Sequence, residues 1–267
     1  MRLFKLVKTS VKILKESGFL AFLLILKSKY NLPVPLSSSM VRKAGLSLEI
    51  SYWNQAIESR GGIYKGDVGI ELFKKNLDHD LEIQAIIKNL LPSQSTIRIL
   101  DVGSGPLTQI GKKYNNKNIV IYAIDPLADE YNAILKYHNI TPIVKTRKCA
   151  AENISSIFHQ NYFDFVYARN SIDHSENPYQ AILEMIQVIK KNGYVLLQHR
   201  INEGLSRNYN GLHQWNFSLT ANNEFVISSK TKKIEMTNKL KNICEVKNYI
   251  LNESDDEKWI INQFKKL

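Results

Sequence analysis

Ile97-Arg98-Ile99-Leu100-Asp101-Val102-Gly103-Ser104-Gly105-Pro106-Leu107-Thr108-Gln109-Ile110-Gly111 is the stretch that decides the fold. The apolar residues Ile97, Ile99, Leu100 and Val102 lead into a Gly-Ser-Gly turn and then into a segment able to start a helix. That is the pattern of a buried strand feeding a nucleotide-binding loop. Glycine suits the turn because a backbone without a Cβ bends tightly and lets a ligand come close.

The chain has 267 residues, enough for one domain with a sizeable core and an appendage. Its two cysteines, Cys149 and Cys244, have no CxxC or Cys/His spacing, so neither a disulfide framework nor a zinc site is expected. No other set of carboxylates and imidazoles has ligand spacing, so no metal is expected either. A reducing cytoplasm is the natural setting. The formal net charge of +11 is unevenly placed. Residues 1–48 carry nine Lys/Arg and one acid, residues 49–229 eighteen of each, and residues 230–267 nine and six. The body is therefore neutral, which counts against a nucleic-acid partner and points to a terminal anchor.

Within residues 3–15, Lys5, Lys8, Lys12 and Lys15 recur at steps of three and four opposite Leu3, Leu6, Val7, Val11 and Leu14, a basic amphipathic helix. The apolar run at residues 19–26 is too short to cross a bilayer. Residues 1–30 thus read as an N-terminal helical extension that either contacts an anionic membrane peripherally or packs on protein. Residues 31–47, with Pro33, Pro35 and three serines, read as a linker, and residues 48–267 as the main domain. Residues 48–92 look helical, ending in an amphipathic stretch at 81–91, and Tyr52, Trp53 and Tyr64 are candidates to cover a ligand or to fill core. Strands are expected at 118–124, near 142–145, at 163–168 and at 193–198, alternating with helices at 127–137 and 177–190. This is an α/β pattern with a mostly parallel sheet. Antiparallel strands at 212–219, 224–229 and 244–251 and a terminal helix at 255–266 complete the reading.

Two dinucleotide readings compete at the glycine loop. A nicotinamide or flavin enzyme wants GxGxxG, but Gly103 and Gly105 are followed by Thr108. Asp101 stands two residues before the first glycine. Asp125, 22 residues after it, falls at the carboxyl end of the next strand, where a carboxylate accepts hydrogen bonds from ribose hydroxyls. With Ala151-Glu152, this constellation resembles the class I S-adenosylmethionine-dependent methyltransferases over Ile97 to Leu197. The resemblance implies a Rossmann-like three-layer fold. It also implies that Gly103, Ser104 and Gly105 line S-adenosyl-L-methionine, with Asp101 near its methionine amino group. Asp125-Pro126 would meet the ribose, Ala151 and Glu152 the adenine, and Arg169-Asn170 the methionine end. A narrower resemblance runs through Asp125-Pro126-Leu127-Ala128-Asp129, Ile172-Asp173-His174, Asn202-Glu203 and Gly211-Leu212-His213-Gln214-Trp215-Asn216-Phe217. It is similar to a bacterial methyltransferase subgroup associated with surface polysaccharide or glycolipid biosynthesis.

A sulfonium already carries an activated methyl, so the protein's task is largely to position the acceptor. A hydroxyl acceptor also needs a base, and histidine is the usual one near neutral pH. His174 follows the fourth strand, His199 ends the fifth and His213 opens the Leu-His-Gln-Trp run; these are the candidates, His174 and His213 ranked above His199, with Asp173 able to orient a neighbouring imidazole or to cap a helix. Glu203 and Trp215 are candidates for the acceptor side. The expected activity is methylation of a hydroxyl on a saccharide or glycolipid at the inner face of the cell membrane. The alternatives are a small metabolite or RNA as acceptor, a non-catalytic binding protein of the same fold and, last, a dehydrogenase.

Overall fold

The computed structural model describes residues 14–15, 17–28, 35–63, 66–254 and 257–267. Five strands carry the parallel part of the main sheet: β1 (Thr96–Val102), β2 (Asn118–Asp125), β3 (Thr146–Lys148), β4 (Phe163–Arg169) and β5 (Ile189–Arg200). The chain ends in a hairpin of β9 (Cys244–Ser254) and β10 (Glu257–Lys266), and β10 inserts antiparallel between β5 and β9. The order is β3-β2-β1-β4-β5-β10-β9. Three short strands, β6 (Asn216–Leu219), β7 (Phe225–Ser228) and β8 (Lys233–Glu235), form a separate antiparallel sheet.

Strand alternation divides the core. Leu100 and Val102 of β1 face a cluster with Phe163, Ile182, Met185, Phe217, Phe225 and Phe264. Ile97 and Ile99 face the other way, onto Ile83, Ile87, Phe165, Leu196 and Ile261. Helix α1 (Ser38–Glu58), α2 (Asp67–Asn76), α3 (Ala85–Lys88), α4 (Ala128–Tyr137) and α5 (Pro178–Val188) cover the faces. Two further short helices are α6 (Glu203–Ser206) and α7 (Met236–Leu240).

Four sequence expectations change. The terminal segment is strand β10, not a helix: Trp259, Ile260, Ile261 and Phe264 are all buried, with Ile260 and Phe264 packed into the core on one face of the sheet and Ile261 into the core on the other. A run buried on both faces has no alternation to separate it from a buried helix. Phe264→Ala is accordingly expected to destabilise the fold by about 3–5 kcal/mol, measured by urea denaturation. No helix follows the glycine loop. Residues 103–117 are irregular and stitched to 81–84 instead, Ile83 N–H donating to Lys113 O (2.9 Å) and Lys112 N–H to Leu81 O (2.7 Å). Gly111 is what permits this contact, since a Cβ there would lie 2.2 Å from the Glu82 backbone. The same stitching leaves only α3 helical in the stretch 81–91. Finally, α1 begins at Ser38, capped by the Ser37 hydroxyl accepting from Met40 N–H (3.3 Å), so residues 38–47 of the supposed linker are its first half.

Most of the basic amphipathic helix, and Tyr64, lie outside the described residues. Residues 17–28 are helical, with Ser17, Ala21 and Leu24 buried along one face. No helix among the described residues is long and apolar enough to cross a membrane.

Candidate active site

The carboxyl ends of β1, β2 and β4 meet at the glycine loop. Gly103 (φ +67°) and Gly105 (φ +63°) both adopt the left-handed conformation. Gly103 N–H donates to Ile124 O (2.8 Å), folding the loop back over β2. A Cβ on Gly103 would lie 2.3 Å from Ser171 Cβ, and one on Gly105 3.1 Å from the Trp53 ring. Gly103→Ala therefore combines a clash with about 1–2 kcal/mol of left-handed strain. At least a tenfold loss of S-adenosylhomocysteine affinity is expected by calorimetry.

Asp125 closes β2 with its carboxylate turned onto this loop, accepting from Gly105 N–H (3.2 Å) and Leu127 N–H (2.9 Å). Burial raises its pKa to about 6, even though both N–H donors favour the charged form. Asp101, buried at the end of β1, accepts from the Thr108 hydroxyl. Burial lifts its pKa to about 7, with the Thr108 bond opposing the rise and the Asp125 charge adding to it. Two adjoining buried carboxylates, both held toward the neutral form beside a glycine cradle, suit a ligand that brings a cation and hydroxyl donors. The residues therefore fit S-adenosylmethionine. Ser104 closes the loop, its hydroxyl 3.2 Å from that of Thr146.

Of the remaining residues expected at the cofactor, Glu152, Arg169 and Asn170 hydrogen-bond neighbouring protein groups. Glu152 Oε1 accepts from Glu176 N–H (2.7 Å) and Asn177 N–H (3.1 Å), tying the turn that opens α5. Ala151 begins the 3-10 turn Ala151–Ser156, and Pro126 is exposed. Arg169 donates to Gln109 Oε1 (2.6 Å) and stacks on Trp259, while Asn170 Oδ1 accepts from Arg200 N–H (3.2 Å).

Beyond β4, Ser171 donates to Val102 O (3.0 Å), fastening the 3-10 turn Ile172–His174 against the glycine loop. That turn sets Asp173, 1% exposed, among three imidazoles. His213 Nδ1 is 2.8 Å from Asp173 Oδ2, His174 Nε2 lies 3.6 Å from the same oxygen, and the two ring nitrogens are 3.1 Å apart. His199 Nδ1 lies 3.9 Å from Asp173 Oδ1. Burial alone would raise the Asp173 pKa, but the three histidines bring it down to about 2. Burial pulls His213 down, yet its hydrogen bond and ion pair with Asp173 prevail and its pKa lies above the ordinary value. His199, fully buried and stacked on Phe217 at 4.2 Å, has its pKa lowered by burial to about 4. It stands behind the carboxylate, while His174 and His213 reach the surface. All three candidate histidines thus converge on Asp173.

Helix α1 crosses this site. Arg42 donates to His174 O (3.0 Å) and pairs with Glu176 (2.7 Å). Gly45 lets Gly211 and Leu212 approach, Glu49 adds its charge to that felt by Asp125, and Trp53 covers Gly105. The aromatic signal at Trp53 was visible in the sequence. Arg42, Gly45 and Glu49 had no such signal, because their partners are distant in the chain. Trp215 is core, with its N–H donated to Ser175 O (3.0 Å), and Glu203 pairs with Arg207 (2.9 Å).

The family model described as a methyltransferase domain matches residues 100–197. No curated protein matches the chain. Among solved structures, a CurJ carbon methyltransferase is similar with a TM-score of 0.51 at 13% identity, over 98% of this chain and 71% of that one. Phosphoethanolamine N-methyltransferase 2 of Haemonchus contortus, solved with phosphomonomethylethanolamine and S-adenosylhomocysteine, gives 0.51 at 15% identity. That match covers 88% of this chain and 61% of the nematode one. Residues 100–197 match the methyltransferase-domain model, and the chain has the Rossmann-like fold of the solved methyltransferases it resembles.

Proposed function

We propose that the protein methylates a hydroxyl of a saccharide or glycolipid intermediate, with S-adenosyl-L-methionine as donor. The observation that carries this reading is the buried Asp173 with two partly exposed imidazoles, fastened to the glycine loop through Ser171. An acceptor whose proton must be removed needs such a pair, whereas a free amine does not. The bound sulfonium supplies an activated methyl. Gly103, Gly105 and Asp125 hold the nucleoside and Asp101 the amino group. Helix α1, through Trp53 and Glu49, shields the nucleoside side from water. Asp173 accepts the His213 Nδ1 proton, which fixes the tautomer and leaves Nε2 with the lone pair that takes the acceptor's hydroxyl proton.

The saccharide assignment rests on the sequence resemblance around His174 and His213. Its test is labelled-methyl transfer by the full chain into glycan, lipid and RNA fractions of a cell extract. Label in glycan or glycolipid that resists mild base supports it; label in RNA alone overturns it.

Peripheral membrane contact through residues 1–30, at the inner face of the cell membrane, is part of the same proposal. Co-sedimentation of the full chain with anionic vesicles, lost on deleting residues 1–30, is the expected result. Equal partitioning of both forms removes it.

A further inference from the structure

We propose that Asp173, His174 and His213 form a binding site for a divalent transition-metal cation. Their donor atoms, Asp173 Oδ2, His174 Nε2 and His213 Nδ1, form a triangle with sides of 2.8, 3.1 and 3.6 Å. Donors on one face of a six-coordinate cation at ~2.1 Å lie ~3.0 Å apart, and those of a tetrahedral one ~3.4 Å. The triangle already has that size. Two imidazoles and one carboxylate make a donor set suited to Mn²⁺, Fe²⁺ or Zn²⁺ over Mg²⁺ or Ca²⁺.

The hydrogen-bond inventory points the same way. One proton between His213 Nδ1 and Asp173 Oδ2 satisfies that pair and leaves His174 Nε2 3.1 Å from a nitrogen whose proton is already committed. A cation at the centre would engage all three lone pairs together. Behind the triangle, Asp173 Oδ1 and both His199 nitrogens are buried without a hydrogen-bond partner among the described residues. A buried carboxylate charge costs stability unless it is paired, and a cation on Oδ2 would supply that pairing while leaving Oδ1 without a hydrogen bond. The neighbouring His199 Nδ1, 3.9 Å from that oxygen, is too distant to hydrogen-bond it. The ligands are adjacent at 173–174 and then 39 residues distant at 213, so sequence spacing does not reveal them.

His174 and His213 are partly exposed, which leaves the outer face of the triangle open to further ligands. If the acceptor is a hydroxyl, as proposed above, it would bind there and be acidified by the cation, with its proton passing to solvent; His213, its Nδ1 then a ligand and its Nε2 carrying the ring proton, would exchange its proposed role as base for that of a ligand. This role rests on the proposed function. The binding of the cation does not.

The test is calorimetric titration of tag-free full-length protein, stripped with chelator and saturated with S-adenosylhomocysteine, with MnCl₂ and separately with ZnSO₄. One saturable site per chain at micromolar or lower Kd is expected. Asp173→Asn and His213→Gln should each weaken it at least tenfold, with S-adenosylhomocysteine affinity kept within threefold as the check that the fold persists. His159→Ala, far from the cluster in sequence and outside the proposed ligand set, should leave it unchanged. No saturable binding of either cation, or equal affinity in wild type and both variants, overturns the site. A cation that binds in a protein that methylates no extract fraction leaves the site standing and removes the proposed function. Methyl transfer that continues in chelator, with no cation bound, leaves the proposed function standing and overturns the cation's part in it, while the titration alone decides the site.

Discussion

Asp173→Asn is expected to slow methyl transfer about a thousandfold and to change S-adenosylhomocysteine affinity less than threefold. The carboxylate is 1% exposed, and His213 Nδ1 lies 2.8 Å from it. An amide of the same shape removes the charge that holds the imidazole in its tautomer, and it can present an N–H where the ring needs an acceptor. Positioned acid-base groups contribute ~10²–10⁴ in rate, and a wrong tautomer forfeits most of that. Cofactor affinity is spared because Asp173 touches the glycine loop only through Ser171, whose bond to Val102 O is unchanged. The measurement is labelled transfer into the responsive extract fraction alongside calorimetry with S-adenosylhomocysteine. A loss in affinity equal to the loss in rate would mean that Asp173 maintains the loop and takes no part in proton removal.

The glycine-loop end of this architecture was legible in the sequence because it is local. Strand, glycine turn and following acid lie within Ile97–Asp125, and periodicity plus turn chemistry reports such segments well. The histidine cluster was legible only as a set of separate histidines, since their convergence depends on how residue 213 folds back over residue 173. Helix α1 was illegible as a cover because its contacts reach Gly105, Tyr131, His174 and Leu212. The terminal strand was misread for a different reason. Buried on both faces, it lost the alternation that marks a strand, and only its pairing with β5 and β9 defines it.

Asp125→Ala is expected to weaken S-adenosylhomocysteine binding about a hundredfold. A hydrogen bond to a charged group is worth ~1.5–3 kcal/mol, so loss of the ribose contacts alone accounts for much of this. Gly105 and Leu127 N–H groups, now without their acceptor, loosen the loop as well. The pH dependence separates the charge from the geometry. Both Asp101 (about 7) and Asp125 (about 6) are raised above the ordinary 3.8, chiefly by burial. The folded protein without cofactor therefore holds protons that the unfolded chain has lost. The stability these two groups confer is present below pH 4 and lost as pH rises through 6 and 7. Ligand binding runs opposite, since the ribose and amino group need the carboxylates charged. Affinity should fall about tenfold per pH unit between 7 and 6, where Asp101 takes its proton, and about a hundredfold per unit below 6, where both do. In Asp125→Asn, which keeps the side-chain shape but cannot titrate, the slope should stay at tenfold per unit below 6. A variant slope equal to that of wild type would place the second proton elsewhere and remove Asp125 from the ribose.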